Sequence, residues 1–236
     1  MLTLIQSTSR NTSPQMNVFK LISSKNWRKL KVHIFINKDA VSVYRGTCTQ
    51  TCNSTHNALQ YACYYHPPLD VIKCLYHADP KAIRGKECKG KYALHIACEQ
   101  ACSPAVIRYL LKKYPKAADQ VDEDGRSPFL LTCMRFLLKS NKSSKAATTE
   151  LLEVLQILSA SAPISLIGED CNGMSALDFL LEEEVDIFII KFVQMMSMCI
   201  RQEMDLKIET KITNKSEFKS NYWQNFMKAQ PLYYCV

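Results

Sequence analysis

The stretch that decides the fold is Ala93-Leu94-His95-Ile96-Ala97-Cys98, because the chain repeats it at a fixed spacing. The same frame reads ALQYAC at residues 58–63 and, less closely, PFLLTC at residues 128–133. The copies begin at residues 58, 93 and 128, so each step is 35 residues. A period between about 20 and 50 residues is typical of a solenoid, whose units bury their apolar faces only against each other. The repeat therefore predicts a stack of units, each too small to fold alone.

A second apolar stripe follows each phrase and repeats with the same step. The stripe Val71–Leu75 recurs as Val106–Leu110, with apolar side chains at helical spacing. Proline follows both stripes, at Pro80 and Pro115, and predicts that the second helices end just before it. Each unit is thus predicted to contain a short helix, a loop, a second helix and a longer connector.

Glycine recurs in the connectors, three residues before the phrases that begin at 93 and 128 and before the start of the last unit at Ala176. Gly90 and Gly125 are 35 residues apart, whereas Gly173 follows Gly125 by 48, so the intervening unit holds 13 extra residues. The polar stretch Lys139–Lys145 lies within this longer unit and is predicted to be a basic loop. The predicted organisation is a disordered or targeting segment over 1–25, a repeat solenoid over 26–200 and a C-terminal tail or cap over 201–236. The units of the solenoid are predicted near 26–57, 58–92, 93–127, 128–175 (with the inserted loop 139–150) and 176–200.

The phrase and its preceding glycine resemble the ankyrin repeat, whose signature is Thr-Pro-Leu-His-x-Ala after a turn glycine. Gly90–Ala97 is the most similar stretch; Gly125–Phe129 keeps a Ser-Pro pair, and Met174–Asp178 keeps only the frame. The period of 35 residues exceeds the usual ~33, and the complete tetrad occurs nowhere in the sequence. The resemblance covers roughly 27–198 and implies an all-α, ankyrin-like α-solenoid. It leaves open whether the connectors form full hairpins or plain loops.

Composition and charge set the broad class. Hydrophobic residues make up 47% of the 236 residues and charged residues 22%, which is ordinary globular composition. The net charge of +8 gives some preference for anionic partners but argues against a dedicated nucleic-acid binder. The sequence contains no run of 18 or more apolar residues, so we predict no membrane-spanning helix. The acid-free, Ser/Thr-rich start is either a disordered segment or an organellar transit peptide, so we predict an intracellular protein, cytoplasmic or, as the alternative, in an organelle.

The cysteines are predicted to be free thiols in a reducing compartment, because their number, 11, is odd. Cys63, Cys98 and Cys133 stand one period apart, which indicates one packing position occupied three times.

Two groups of residues could be offered as metal or redox sites. They are His95 with Cys98 and Cys102, and Cys48 with Cys52 near His56. Neither has the paired spacing of a structural zinc site, and no glycine-rich phosphate loop occurs. A cysteine nucleophile with a histidine base also lacks a supporting motif. We therefore predict no catalytic residue, no metal and no cofactor.

The favoured function is a non-enzymatic scaffold, predicted to be monomeric, that binds a protein partner through the concave face of the stack. The alternative is an adaptor that grips nucleic acid or acidic membrane through the basic N-terminal segment and the Lys139–Lys145 loop. The residues predicted to bind the partner are Tyr61, Tyr64, Tyr65, Lys86, Lys89, Lys91, Glu99, Gln100 and Arg126.

Overall fold

The computed structural model describes residues 14–37, 45–47, 55–87, 89–138, 145–181 and 186–212. Ten α-helices and two short strands lie within these ranges. The helices are α1 Pro14–Ser23, α2 Trp27–Ile36, α3 Ala58–Cys63, α4 Leu69–Ala78, α5 Ala93–Glu99, α6 Pro104–Lys113, α7 Pro128–Leu138, α8 Lys145–Ser161, α9 Ala176–Leu181 and α10 Ile187–Ile212. The strands are β1 Arg45–Thr47 and β2 Thr55–Asn57.

The helices form consecutive pairs arranged in two layers. The odd-numbered helices α1, α3, α5, α7 and α9 each contact the next, and these first helices form one layer. The second helices α2, α4, α6 and α8 contact each other in the same order, while α10 packs on α9. The predicted all-α stack of helix–loop–helix units is therefore confirmed.

Proline ends the second helices as the sequence predicts. Helix α4 ends at its C-cap Asp79 and α6 at Tyr114, immediately before Pro80 and Pro115. Each proline then begins a short 3-10 helix, and the same happens at Pro163 in the next unit. The missing proline N–H costs little at a first helical position, which is why one residue can end one helix and start another.

The core is one continuous cluster that runs through all the helix pairs. Leu59, Leu94 and Phe129 are almost completely buried at equivalent positions of successive first helices. Cys63 and Cys98 share a second such position, and burial raises the pKa of the Cys98 thiol to about 12. These cysteines therefore remain protonated and pack as small apolar side chains.

The structure differs from the prediction at three boundaries. Helix α1 lies inside the segment 1–25, which was predicted to be disordered or targeting. It belongs to the folded stack, since its side chains Val18 and Ile22 are completely buried. Helix α1 carries no copy of the repeat phrase, so the periodicity could not reveal it as the first helix of its pair. Helix α8 begins inside the predicted loop 139–150, and α10 continues beyond the predicted limit of 200. Residues 1–13, 139–144 and 213–236 lie outside the described residues.

A short hairpin precedes α3 and was not predicted. Strands β1 and β2 pair antiparallel, with Gly46 opposite His56. The hairpin leads directly into Asn57, the N-cap of α3, whose side chain accepts the Gln60 N–H at 2.9 Å. In the part of the chain that the structure describes, no helix has the length and apolarity needed to cross a bilayer.

Glycine at residue 125 is required by space as well as by backbone angle. Gly125 and Gly173 both have φ of +77°, which favours glycine. A Cβ on Gly125 would lie 3.1 Å from the backbone nitrogen of Cys171, whereas a Cβ on Gly173 would meet nothing within 4 Å. The two positions therefore separate conformational strain from steric conflict.

We expect Gly173→Ala to lower the free energy of unfolding by about 1 kcal/mol through the left-handed backbone alone. Gly125→Ala should lower it by at least about 1 kcal/mol more, because a backbone atom cannot swing aside as a side chain can. Urea denaturation followed by circular dichroism measures both. Equal losses for the two variants would show that the contact with the next connector is unimportant.

Candidate interaction surface

Each connector ends in a tight turn that presents its backbone next to the first helix of the following unit. In the turn from Asp122 to Arg126, the Asp122 N–H donates to the Arg126 carbonyl at 3.0 Å, and Gly125 N–H donates to the Asp122 carbonyl at 3.1 Å. The same two bonds close the turns that run from Glu87 to Lys91 and from Asp170 to Met174. We call these three segments the connector turns. These connectors are short turns and not full hairpins: within the described residues, the only bridge beside them is the isolated pair Glu169 with Ser175, which flanks the third turn.

Consecutive connector turns are joined to each other by backbone hydrogen bonds. The Glu123 N–H donates to the Lys89 carbonyl at 3.0 Å, and the Cys171 N–H donates to the Asp124 carbonyl at 2.9 Å. These bonds occupy equivalent positions in successive units. The turns therefore form one row with a fixed spacing along the stack.

A series of polar pairs, each with a buried carboxylate, also joins the units, and we call it the polar ladder. In each pair, the residue two positions before a first helix points to the acidic residue that opens the next turn. The three carboxylate side chains are 1% exposed. The pairs are His56 Nδ1 with Glu87 Oε2 (3.0 Å), Lys91 Nζ with Asp122 Oδ2 (4.0 Å), and Arg126 Nε with Asp170 Oδ2 (3.8 Å).

The two longer pairs act by electrostatic attraction, since 3.8 and 4.0 Å exceed hydrogen-bond length. The other carboxylate oxygen of Asp122 accepts the backbone N–H groups of Asp124 and Arg126. Burial still raises the pKa of Asp122 above its ordinary value, against the effect of these bonds and of Lys91. At the equivalent Asp170, burial has the same tendency, but hydrogen bonds from Met174 and Asn172 and the charge of Arg126 lower the pKa overall.

The ladder escaped sequence reasoning although its signal was present. His56, Lys91 and Arg126 stand one period apart, as do Glu87 and Asp122, but each pair spans two units and is far apart in the chain. Comparing the units position by position, including the residues outside the phrase, would have found it.

The third residue of the phrase caps its own helix and reaches the connector that follows the second helix of its unit. The Nδ1 of His95 accepts the Tyr92 N–H at 3.4 Å, so its Nε2 carries the hydrogen and donates to the Gln120 carbonyl at 3.0 Å. Gln60 does both in the preceding unit, where its amide oxygen accepts the Asn57 N–H and its nitrogen donates to the Gly85 carbonyl. Glutamine and histidine are therefore interchangeable at this position.

The three predicted tyrosines are brought together beside α1. Tyr61, Tyr64 and Tyr65 are half-buried. The Phe19 and Tyr61 rings meet edge-on at 5.0 Å, and the hydroxyl oxygens of Tyr61 and Tyr65 are 3.0 Å apart. The Tyr64 hydroxyl donates to Glu87 at 3.2 Å, so this tyrosine supports the polar ladder.

The predicted charged residues separate into exposed and internal groups. Lys86 and Lys89 are exposed, with the Lys86 ammonium 5.1 Å from the centre of the Tyr92 ring. Glu99, Gln100 and Arg126 are half-buried. Lys91 does not lie on the predicted basic margin, because its side chain is buried and bonds Glu99 at 2.8 Å besides facing Asp122.

The sulfur and imidazole groups considered as metal ligands have other roles. Both nitrogens of His95 are taken by backbone groups, and Cys102 donates to the Cys63 carbonyl. Across the described ranges, no cluster of three or more His, Cys, Asp or Glu side chains could hold a metal ion. The candidates Cys48 and Cys52 lie outside the described residues.

Comparison with known families supports the repeat. Residues 89–120 match the family described as Ankyrin repeat. The match begins in a connector turn and runs through α5 and α6, so it coincides with one unit of the stack. Among curated proteins, no sequence is significantly similar to this chain. The resemblance to ankyrin repeats and the all-α ankyrin-like fold are thereby confirmed.

We expect Lys91→Met to lower the free energy of unfolding by about 3 kcal/mol, because it leaves the buried Asp122 without its cation. The matched control is Lys89→Met in the same turn, where an exposed side chain is changed and the expected effect is within about 0.5 kcal/mol. Chemical denaturation at pH 7 measures both. Similar midpoints for the two variants would mean that the ladder contributes little.

His95 makes stability depend on pH. Burial, assisted by the charges of Lys91 and Lys86, lowers its pKa to about 4, although the bond to Gln120 opposes this. As pH falls below the ordinary value of about 6.5, the unfolded chain is protonated first, so stability is lost down to about pH 4, by up to about 3 kcal/mol.

The variant His95→Gln should keep both hydrogen bonds, as Gln60 does, and should lose this dependence. We expect the free energy of unfolding of the natural chain, minus that of the variant, to fall steadily as pH is lowered from 7 to 4. Urea midpoints of both proteins across this range test the prediction. A constant difference between them would contradict it.

Proposed function

We propose that this chain is a non-enzymatic scaffold that binds a protein partner along the connector turns and the adjoining ends of the first helices. Ankyrin repeats are protein–protein interaction modules, and stacked repeats offer extended surfaces for such binding. The observation that carries the proposal is the continuous row of connector turns, joined unit to unit by backbone hydrogen bonds.

A surface fixed in advance loses little conformational entropy when a partner binds. The turn-to-turn hydrogen bonds and the polar ladder hold the row from Glu87 to Met174 in one geometry. The exposed side chains therefore stand on a rigid support. Such rigidity favours recognition of a partner with a definite shape.

The charge along the row changes sign. Lys86 and Lys89 are exposed at the first turn, whereas Glu123 and Glu169 are exposed at the second and third. An interface with this order selects a partner with acidic groups at one end and basic groups at the other. Complementary charges of this kind fix the register and direction of binding more than they add affinity.

The tyrosine cluster supplies an apolar anchor near the basic end of the row. Tyr61 and Tyr65 are half-buried and hold each other through their hydroxyl groups. Tyrosine is enriched among residues that dominate binding energy, since it combines a large apolar ring with a polar group. The neighbouring Tyr64 donates to Glu87 of the first connector turn, so the proposed interface extends from that turn onto α3.

The non-enzymatic part of the proposal is supported by the state of the candidate nucleophiles. Cys63, Cys98 and Cys133 are buried, and burial raises the pKa of each thiol. A thiolate is the reactive form of cysteine, so these groups are held in their unreactive form. The imidazole of His95 is likewise fixed between two backbone groups.

The test uses the full chain as bait in an extract of its native cells, with bound proteins identified by mass spectrometry. We expect Lys89→Glu to reduce recovery of a specific partner at least about tenfold, since a reversed charge faces the partner's acidic groups. The matched control is Lys73→Glu, which makes the same change at an exposed position of α4 in the second-helix layer.

Recovery with the control should equal that of the natural chain. Equal recovery with Lys89→Glu would exclude the connector turns as the interface. Loss with both variants would indicate that net charge, and no particular surface, governs capture.

A further inference from the structure

The side of α2 that faces away from its neighbours carries large apolar side chains. Val32 is 58% exposed, Phe35 88% and Ile36 71%. The opposite side of the same helix is buried through Leu30 and Ile34. The exposed residues follow helical spacing and so share one face. We call Arg28, Lys29, Val32, Phe35 and Ile36 the outer face of α2.

The beginning of this face is strongly basic. Arg28 and Lys29 are exposed in the first turn of α2, and Lys20 and Lys25 are exposed just before it. Residues 14–37 contain no acidic residue. Asp70 of the neighbouring helix α4 pairs with Lys31 at 2.5 Å. Lys31 is not part of the outer face, so this carboxylate leaves the charges of Arg28 and Lys29 in place.

The position of the basic residues does not serve the helix itself. The N-terminal end of a helix carries a partial positive charge, so cations in its first turn slightly destabilise it. Helix α2 has two basic residues there and no acidic one. The arrangement instead adds the positive end of the helix to the side-chain charges and creates an anion-attracting end.

We propose that the outer face of α2 docks on an anionic lipid surface. Basic residues beside large apolar side chains on one helix face are the combination that binds in the interface of a charged bilayer. Arg28 and Lys29 would meet lipid phosphates, while Phe35 and Ile36, about two turns further along the helix, would enter the acyl boundary. The proposal goes beyond the scaffold function and places it at a membrane.

The alternative anionic partner, nucleic acid, accounts for only half of the face. Phosphate contacts from Arg28 and Lys29 are compatible with either partner. The exposed aliphatic groups of Val32 and Ile36 have no counterpart on a phosphate backbone, whereas acyl chains match them. The combined charge and apolarity therefore favour lipid.

The experiment measures co-sedimentation of the full chain with vesicles of phosphatidylcholine, alone or with 30% phosphatidylserine, at low and at raised salt. Two double variants test the face: Phe35→Ser with Ile36→Ser, and Arg28→Gln with Lys29→Gln. The matched control is Ile187→Ser with Phe188→Ser, which removes two exposed apolar side chains from α10 at the other end of the stack. Circular dichroism checks that each variant is folded.

We expect binding to the anionic vesicles only, at least about tenfold weaker for both variants of the outer face and unchanged for the control. Raised salt should weaken binding of the natural chain. The proposal is overturned if anionic vesicles are not bound at low salt, or if the serine variant of α2 binds as well as the natural chain. It is also overturned if a DNA duplex binds as tightly as the vesicles and loses binding only in the glutamine variant.

Discussion

The carboxylates that open the connector turns are buried, yet none has its cationic or imidazole partner within its own unit. Glu87, Asp122 and Asp170 each depend on a side chain from the unit before. A buried charge without a partner is costly, so units that slid past each other or stacked at a different spacing would be penalised at every interface. The apolar faces drive the units together without direction, whereas the polar ladder fixes their register. The fixed row of connector turns depends on this constraint.

The ladder also explains how a divergent repeat can keep its fold. The residue types vary from His56 to Lys91 to Arg126, and the acid varies between glutamate and aspartate. What persists is a partner for the acid at the corresponding place in each unit. The third phrase residue varies under a similar rule, because Gln60 and His95 both bond the start of their own helix and the connector that follows it. The first rule keeps an interaction across a unit boundary and the second keeps one within a unit, while the residues that make them change.

The sequence predicted the parts of the fold that recur within single units. The phrase beginning at Ala93, the stripe beginning at Val106 and the proline at Pro115 sufficed to locate helices and their ends. Helix α1 could not be found in this way, because Val18 and Ile22 are buried by contacts with other units and follow no copy of the phrase. The same reason made Lys91 look exposed, since its burial depends on Asp122, which lies 31 positions further along the chain.

The second helix of the first described pair, α2, is covered less by neighbouring helices than the second helices inside the stack. An internal second helix, such as α6, is covered by α4 and α8, whereas among the described residues α2 has a neighbour in its layer on one side only, α4. Water favours polar side chains on a solenoid face that no neighbouring unit covers. Helix α2 instead exposes Phe35 and Ile36, and retaining such side chains in water has no benefit for folding. An apolar face that stability does not require, placed beside unpaired basic charge, is better understood as a binding surface. The stack would then use two surfaces at once, the connector turns for a protein and its first helix pair for a lipid bilayer.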